Sequence, residues 1–294
     1  MMVNVYVVYG KGIGCHNECA HAYERAGAKV EIVHINQLLK GQLDLSNVQI
    51  INLAGGFLQG DNLGSAMCAA NELECAKAMV NDEERRVKDL LIEFANKGNV
   101  IYGQCNGFQL LVKSGLLPGI GGDYSKQAMT LTNNDCGSYR VDFVHHIIER
   151  PHFAFEGIDY TDLFISIRHG EGKAVFYSPN GSITSEEGER NRLAVNEKHV
   201  LLRYADPVTH QKTEEFPKNP NGSVDGIAGL VNETGTIIGH MAHTEVGIYL
   251  SCDPRFFKMK DAWARQGISA ASIDEKVAKG ACMKVFENIV NHFN

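Results

Sequence analysis

The chain of 294 residues predicts an α/β fold: an open, mainly parallel sheet flanked by helices, with an inserted mixed or antiparallel lobe over roughly 123–225. Three observations carry this prediction. Short, apolar, β-prone runs alternate with helix-length segments through the first third of the chain. One of those runs turns into a helix within a few residues, at Gly103-Gln104-Cys105-Asn106-Gly107. After Gly122 the alternation gives way to strand-like segments broken by loops.

Taken in order, Val3 to Tyr9 reads as a buried strand, Asn17 to Gly27 as a helix, Lys29 to His34 as a second strand and Val48 to Ala54 as a third. Ala, Leu and Met recur at helical spacing over Gly64 to Ala78 and Asp82 to Lys97, which predicts two helices there. Val100-Ile101-Tyr102 is the next strand. The helix after it runs through Phe108 to Val112 toward Leu116 and Leu117, where Pro118-Gly119 stops it. Ser138 to Ile147, Leu163 to Ile167 and His199 to Tyr204 predict antiparallel strands, separated by loops such as Pro207 to Val224. Ser272 to Phe293 predicts a closing amphipathic helix. No internal repeat is present.

Composition narrows the function. With 44% hydrophobic residues the chain can bury a sizeable core, and a net charge of −7 without a dense Lys/Arg run argues against nucleic acid as a partner. No run approaches a membrane span, and Met1 to Gly10 is too short and strand-like for a signal peptide, so a cytoplasmic protein without membrane contact is expected. The eight cysteines lack the spacing of a disulfide scaffold or of a Cys-x-x-Cys metal site, and are expected mostly as thiols. His145-His146 does not suggest a metal, since neighbours in a strand face opposite ways. No metal site is expected.

The chemistry centres on Cys105. A strand-to-helix turn this tight needs glycine two places either side of the central residue, because larger side chains there would collide. The free amides of the helix start then point at the sulfur and favour thiolate. A cysteine nucleophile also needs a base and a group to orient it. His243 and Glu245, at the end of the apolar run Gly235 to Gly239, supply both; in an extended backbone they project from one side. Gly55 and Gly56, after another strand, offer amides for a developing oxyanion, with the amide of Asn106 as a second donor. The other seven cysteines lack such a setting. Gly10-Lys11-Gly12-Ile13-Gly14 fails the dinucleotide pattern, and there is no G-x-x-x-x-G-K-[ST] phosphate loop, so ATP chemistry is not expected on this chain.

The elbow Gly-Gln-Cys-Asn-Gly-Phe-Gln with the downstream His-x-Glu pair resembles the class I glutamine amidotransferases. Within them it resembles the glutaminase subunit or domain of phosphoribosylformylglycinamidine synthase, the PurQ family, and is similar to the C-terminal domain of long PurL. Further matches to that branch are Gly55-Gly56-Phe57-Leu58-Gln59-Gly60-Asp61, Ile167-Arg168-His169-Gly170-Glu171-Gly172-Lys173, Arg203-Tyr204-Ala205-Asp206-Pro207, Asn219-Pro220-Asn221-Gly222-Ser223 and Ile227-Ala228-Gly229. The resemblance implies a glutaminase of purine biosynthesis. Cys105 would attack the side-chain amide of glutamine, and ammonia would leave with a proton from His243. Water would then release glutamate from the thioester. Phe57, Gln109, His169 and Gly170 would help bind substrate. No cofactor is expected on this chain; ATP and Mg are expected on a PurL-type synthetase partner that receives the ammonia, with a small PurS-type subunit as a further companion. Thr244 stands where the family usually has proline, Ala54 replaces another proline, and the loop Tyr9 to Cys15 also departs. Two other readings stay open: a stand-alone γ-glutamyl hydrolase or cysteine peptidase on the same fold, and a non-catalytic subunit that binds glutamine.

Overall fold

In a computed structural model of the chain, residues 2–80, 82–159, 163–177, 184–277 and 279–294 are described. The first half builds β1 (Asn4–Tyr9), α1 (His16–Arg25), β2 (Lys29–His34), α2 (Ile35–Leu39), β3 (Ile50–Leu53), α3 (Met67–Cys75), β4 (Lys77–Val80), β5 (Glu83–Arg86), α4 (Val87–Asn96), β6 (Val100–Gln104) and α5 (Asn106–Lys113). Then come β7 (Thr130–Asn133), β8 (Arg140–Ile148), β9 (Phe164–His169), β10 (Glu171–Val175), α6 (Ser185–Lys198), β11 (Val200–Tyr204), β12 (Ile227–Val231), β13 (Ile237–His240), α7 (Phe256–Arg265), α8 (Ala270–Val277) and α9 (Met283–Asn291).

Nine strands form one sheet in the order β2-β1-β3-β6-β13-β12-β11-β8-β9. From β2 to β13 all neighbours pair parallel; from β13 to β9 all pair antiparallel. The parallel half is the predicted β-α-β run, with β13 returning from late in the chain beside β6. Period-two alternation splits each strand between two cores. Val5, Val7 and Ile50 pack with Tyr23 of α1 and Phe286 of α9 on one face, while Val8, Ile51 and Leu53 pack with Leu73, Leu91 and Leu111 of α3, α4 and α5 on the other. Of the segment 123–225, β8, β9 and β11 extend this sheet, and β7 pairs with β10 in a separate two-stranded ribbon.

Several expected elements take another form. The two helices expected over 64–78 and 82–97 are shorter, because β4 and β5 form a hairpin between them. There Ala78 is buried between exposed neighbours, an alternation that suits a strand, and Lys77 pairs with Glu84 across the ribbon at 2.7 Å. The expected continuation of α5 to Leu117 does not occur: the helix stops at Lys113, and Gly115 closes it with φ 72° and its N–H on the Val112 carbonyl. The predicted closing helix is two, α8 and α9, with Gly280 between them donating its N–H to the Ile248 carbonyl at 2.8 Å. Helix α6 was not expected. Its sequence is almost wholly polar and buries only Gly188 and Val195, so it carries little helical periodicity; Thr184 caps it by accepting the Glu187 N–H at 3.2 Å.

Candidate active site

The carboxyl ends of the parallel strands converge on one cavity of about 530 Å³. Loops after β1, β3, β6 and β13 bring Cys15, Gly56 with Phe57, Cys105, and His243 with Glu245 to its wall. The last strand of the sheet reaches the same place by a second contact, an isolated bridge between Ile167 and Ala242, next to which the His243 N–H donates to the Ser166 carbonyl at 2.8 Å.

Cys105 sits between β6 and α5 with φ 51° and ψ −104°, a backbone conformation that an L-residue holds only when its surroundings impose it. The flanking glycines show what imposes it. A Cβ on Gly107 would lie 2.0 Å from the Leu53 carbonyl oxygen of β3, and one on Gly103 would lie 2.7 Å from Leu111 and 2.8 Å from the Gly107 backbone. The turn is therefore clamped against its neighbouring strand and its own helix. The thiol donates to the Arg168 carbonyl at 3.5 Å.

His243 donates from Nδ1 to the Glu245 carboxylate at 2.5 Å, and both side chains are buried. They do not project from an extended strand as expected; Thr244 to Ile248 form a 3-10 turn, and Glu245 reaches the ring from inside it. Burial works to lower the His243 pKa, but the Glu245 charge and then Cys105 more than reverse this and hold it well above its ordinary value. Burial likewise works to raise Glu245, and the facing imidazole holds it below the usual carboxylate range. Among the described residues Nε2 of His243 has no hydrogen bond, which leaves it available to a thiol and a leaving group.

The carboxylate is itself held. Gln104 Nε2 donates to Glu245 Oε2 at 3.0 Å and to Thr244 Oγ1 at 2.8 Å; the Tyr102 hydroxyl shares a hydrogen bond with Thr244 Oγ1 at 2.9 Å and with His240 Nε2 at 2.6 Å. Thr244 is thus fixed by its hydroxyl where the family usually has proline. Gln104→Leu is expected to lower stability by about 1–3 kcal/mol, the cost of leaving buried acceptors undersupplied. It should also lower kcat, and thermal melting with steady-state kinetics on the same preparation measures both; unchanged kcat would show that the carboxylate needs no second donor.

Gly55 lies between base and nucleophile: a Cβ there would meet His243 Cε1 at 2.8 Å and Cys105 Cβ at 3.4 Å. Gly56 has φ 145°, and among the described residues its N–H donates to no backbone carbonyl. The Asn106 N–H opens α5 and has no partner within the helix. Its side chain ties the two donor loops together, accepting the Leu58 N–H at 3.1 Å and donating to Gln109 Oε1 at 3.0 Å.

Phe57 lines the cavity, but Gln109, His169 and Gly170 do not. Gln109 is buried and spends its amide on Asn106 and the Glu171 carbonyl. His169 bonds Asn134 Oδ1 at 3.1 Å, and burial lowers its pKa to about 3. The Gly170 carbonyl accepts from the Asn134 backbone at 2.9 Å. These residues brace loops. The Asn219 to Ser223 loop does likewise, with Ser223 Oγ donating to the Gly172 carbonyl and accepting the Ala174 N–H. Sequence reading missed Cys15, expected to be structural, whose sulfur lies 3.7 Å from His243 Nδ1. It faces the nitrogen occupied by Glu245, so it cannot hand its proton to the free one. Glu18, Tyr139 and Arg168 on the cavity wall were also missed; only the fold brings them there.

A family model described as "CobB/CobQ-like glutamine amidotransferase domain" matches residues 2–293. The chain belongs to this family. Among curated proteins, the amidotransferase chain is 34% identical over 291 residues to phosphoribosylformylglycinamidine synthase subunit PurQ of Methanococcus maripaludis, covering 99% of this chain and 97% of that protein. It is 30% identical to the subunit of the same name from Dehalococcoides mccartyi, over 98% of this chain and 96% of that one. Among solved structures, a chain of PurLQS from Thermotoga maritima shares the fold with TM-score 0.63 and 24% identity, over all of both chains. A glutamine amidotransferase of the same organism aligns with TM-score 0.51 and 16% identity over 99% of each.

Proposed function

We propose that this chain is the glutaminase component of phosphoribosylformylglycinamidine synthase, acting in purine biosynthesis. The observation that carries the reading is a clamped elbow cysteine sharing one cavity with a buried His-Glu pair, in a chain similar over nearly its whole length to subunits of that name. His243 takes the Cys105 proton at Nε2, and the raised pKa lets it keep that proton while the thiolate attacks the side-chain amide carbon of glutamine. Amides of Gly55 or Gly56 and of Asn106 receive the oxyanion. His243 returns the proton to the departing ammonia, then deprotonates a water that cleaves the thioester to glutamate.

The relatives are named as subunits, which supports a PurL-type synthetase as the acceptor of the ammonia, with a small PurS-type subunit as a further companion. ATP and Mg belong to that synthetase in this reading; the sequence of this chain carries no G-x-x-x-x-G-K-[ST] phosphate loop. No helix among the described residues is long and apolar enough to cross a membrane. The test is glutamate release from glutamine by this chain alone and with a PurL-type synthetase, together with mass spectrometry of Cys105 for a γ-glutamyl adduct. Large stimulation by the synthetase and an adduct on Cys105 are expected. Full activity without it would favour a stand-alone hydrolase, and no adduct or turnover in either mixture would rule out the glutaminase reading.

A further inference from the structure

Two side chains on the cavity wall carry opposite charges that nothing in the described structure uses. Arg168 lies one residue before the end of β9, and its carbonyl is the acceptor for the Cys105 thiol at 3.5 Å, so its side chain starts beside the nucleophile. Glu18 stands in the first turn of α1, beyond Cys15. Neither makes a side-chain hydrogen bond or ion pair among the described residues, although surface ions elsewhere commonly do, such as Arg190 with Glu186 and Arg265 with Asp261. Other polar side chains around the cavity are committed: Glu245 to His243 and Gln104, and His21 to the Tyr249 hydroxyl at 2.7 Å. The same cavity wall carries two half-exposed rings, Phe57 and Tyr139, 45% and 48% exposed, with centroids 6.0 Å apart. A cavity whose wall carries a cation and an anion without ion-pair partners among the described residues, two exposed rings and a nucleophile is complementary to a short methylene chain with an α-carboxylate and an α-ammonium at its far end.

We infer that Arg168 receives the α-carboxylate and Glu18 the α-ammonium of the amino-acid substrate, selecting a free α-amino acid over other primary amides. This rests on the glutaminase reading and names its specificity residues. Without the pair, the elbow would accept any amide that fits; with it, amide groups inside peptides are excluded because both α-charges are lost in the peptide bond.

The experiment is alkylation of Cys105 in the intact chain by two probes, read by mass spectrometry: the diazoketone analogue of glutamine, 6-diazo-5-oxo-L-norleucine, and iodoacetamide, which has no α-carboxylate or α-amine. Arg168→Met and Glu18→Gln are each expected to slow labelling by the diazoketone about 10- to 100-fold, as for loss of one charge-assisted contact. Labelling by iodoacetamide is the control, and the ratio of the two rates should fall by the same factor; Arg168→Lys should recover part of it. Equal slowing with both probes would overturn the assignment, since it would mean that the substitutions only disturb the thiol. An unchanged diazoketone rate would overturn it too, and would reduce Glu18 to a complement of the helix dipole. Failure of the unsubstituted chain to react with the diazoketone, while iodoacetamide still labels Cys105, would instead sink the glutaminase reading and this inference with it.

Discussion

Cys105→Ala is expected to abolish glutamate release, by about 10⁴-fold or more, because every later step passes through the thioester. The fold should survive, since alanine fits wherever the Cβ of cysteine fits and the thiol makes only a weak bond to the Arg168 carbonyl. A companion substitution separates catalysis from architecture. Cys105→Gly removes the strain of φ 51° and should raise stability by about 1–3 kcal/mol while leaving the protein equally inactive. A gain in melting temperature together with complete loss of turnover would identify the elbow as a place where stability is given up to aim a sulfur. The result that sinks the assignment is a Cys105→Ala protein that still releases glutamate while Cys15→Ala does not; the sulfur beside His243 Nδ1 would then be the nucleophile.

The sheet's parallel half was legible in the sequence because its strands are short β-prone runs bounded by helix or turn signals, the central β3 and β6 being apolar and buried on both faces. The elbow was legible for a steric reason: Gly103 and Gly107 are required by the approach of Leu111 and of the Leu53 carbonyl, and that requirement shows as spacing. The β4–β5 hairpin and α6 were not legible. In the hairpin the residues are good helix formers overruled by pairing and by the extended backbone at Ala76, and α6 faces solvent almost all round. At the site, His243 and Glu245 were legible as a pair but not as a 3-10 turn. Cys15 and Glu18 come from the start of α1, Tyr139 from the loop before β8 and Arg168 from β9, and no local pattern marks residues that only tertiary structure gathers on one wall. Gln109 and His169 illustrate the converse, since membership of a motif did not put them on the cavity wall.

Glu245→Gln tests the electrostatics on which the base depends. In the native protein burial alone would lower the His243 pKa, and it is the carboxylate at 2.5 Å, followed by Cys105, that lifts it well above the ordinary value. Neutralising Glu245 leaves burial as the largest influence, so the imidazole should become hard to protonate near pH 7. Proton uptake from the thiol and delivery to ammonia then both suffer, and kcat is expected to fall about 10²- to 10⁴-fold, with the pH–rate profile shifted toward acid. The same pair shapes stability. His243 has a folded pKa above its unfolded value of about 6.5, so its contribution is fully present below that value and is lost as pH rises through the folded pKa. Glu245 has a folded pKa below its unfolded value of about 4.3, so its contribution is present above that value and is lost as pH falls through the folded pKa. Melting temperature in the native protein should therefore hold a plateau between these limits and decline on either side. In Glu245→Gln the alkaline decline tied to His243 should vanish, because the ring is already neutral in the folded state, and a new decline should begin as the pH drops through the range where the unfolded imidazole protonates. Melting curves collected from pH 4 to pH 10 on the two proteins measure this; coincident profiles would mean that the buried pair carries no charge at all.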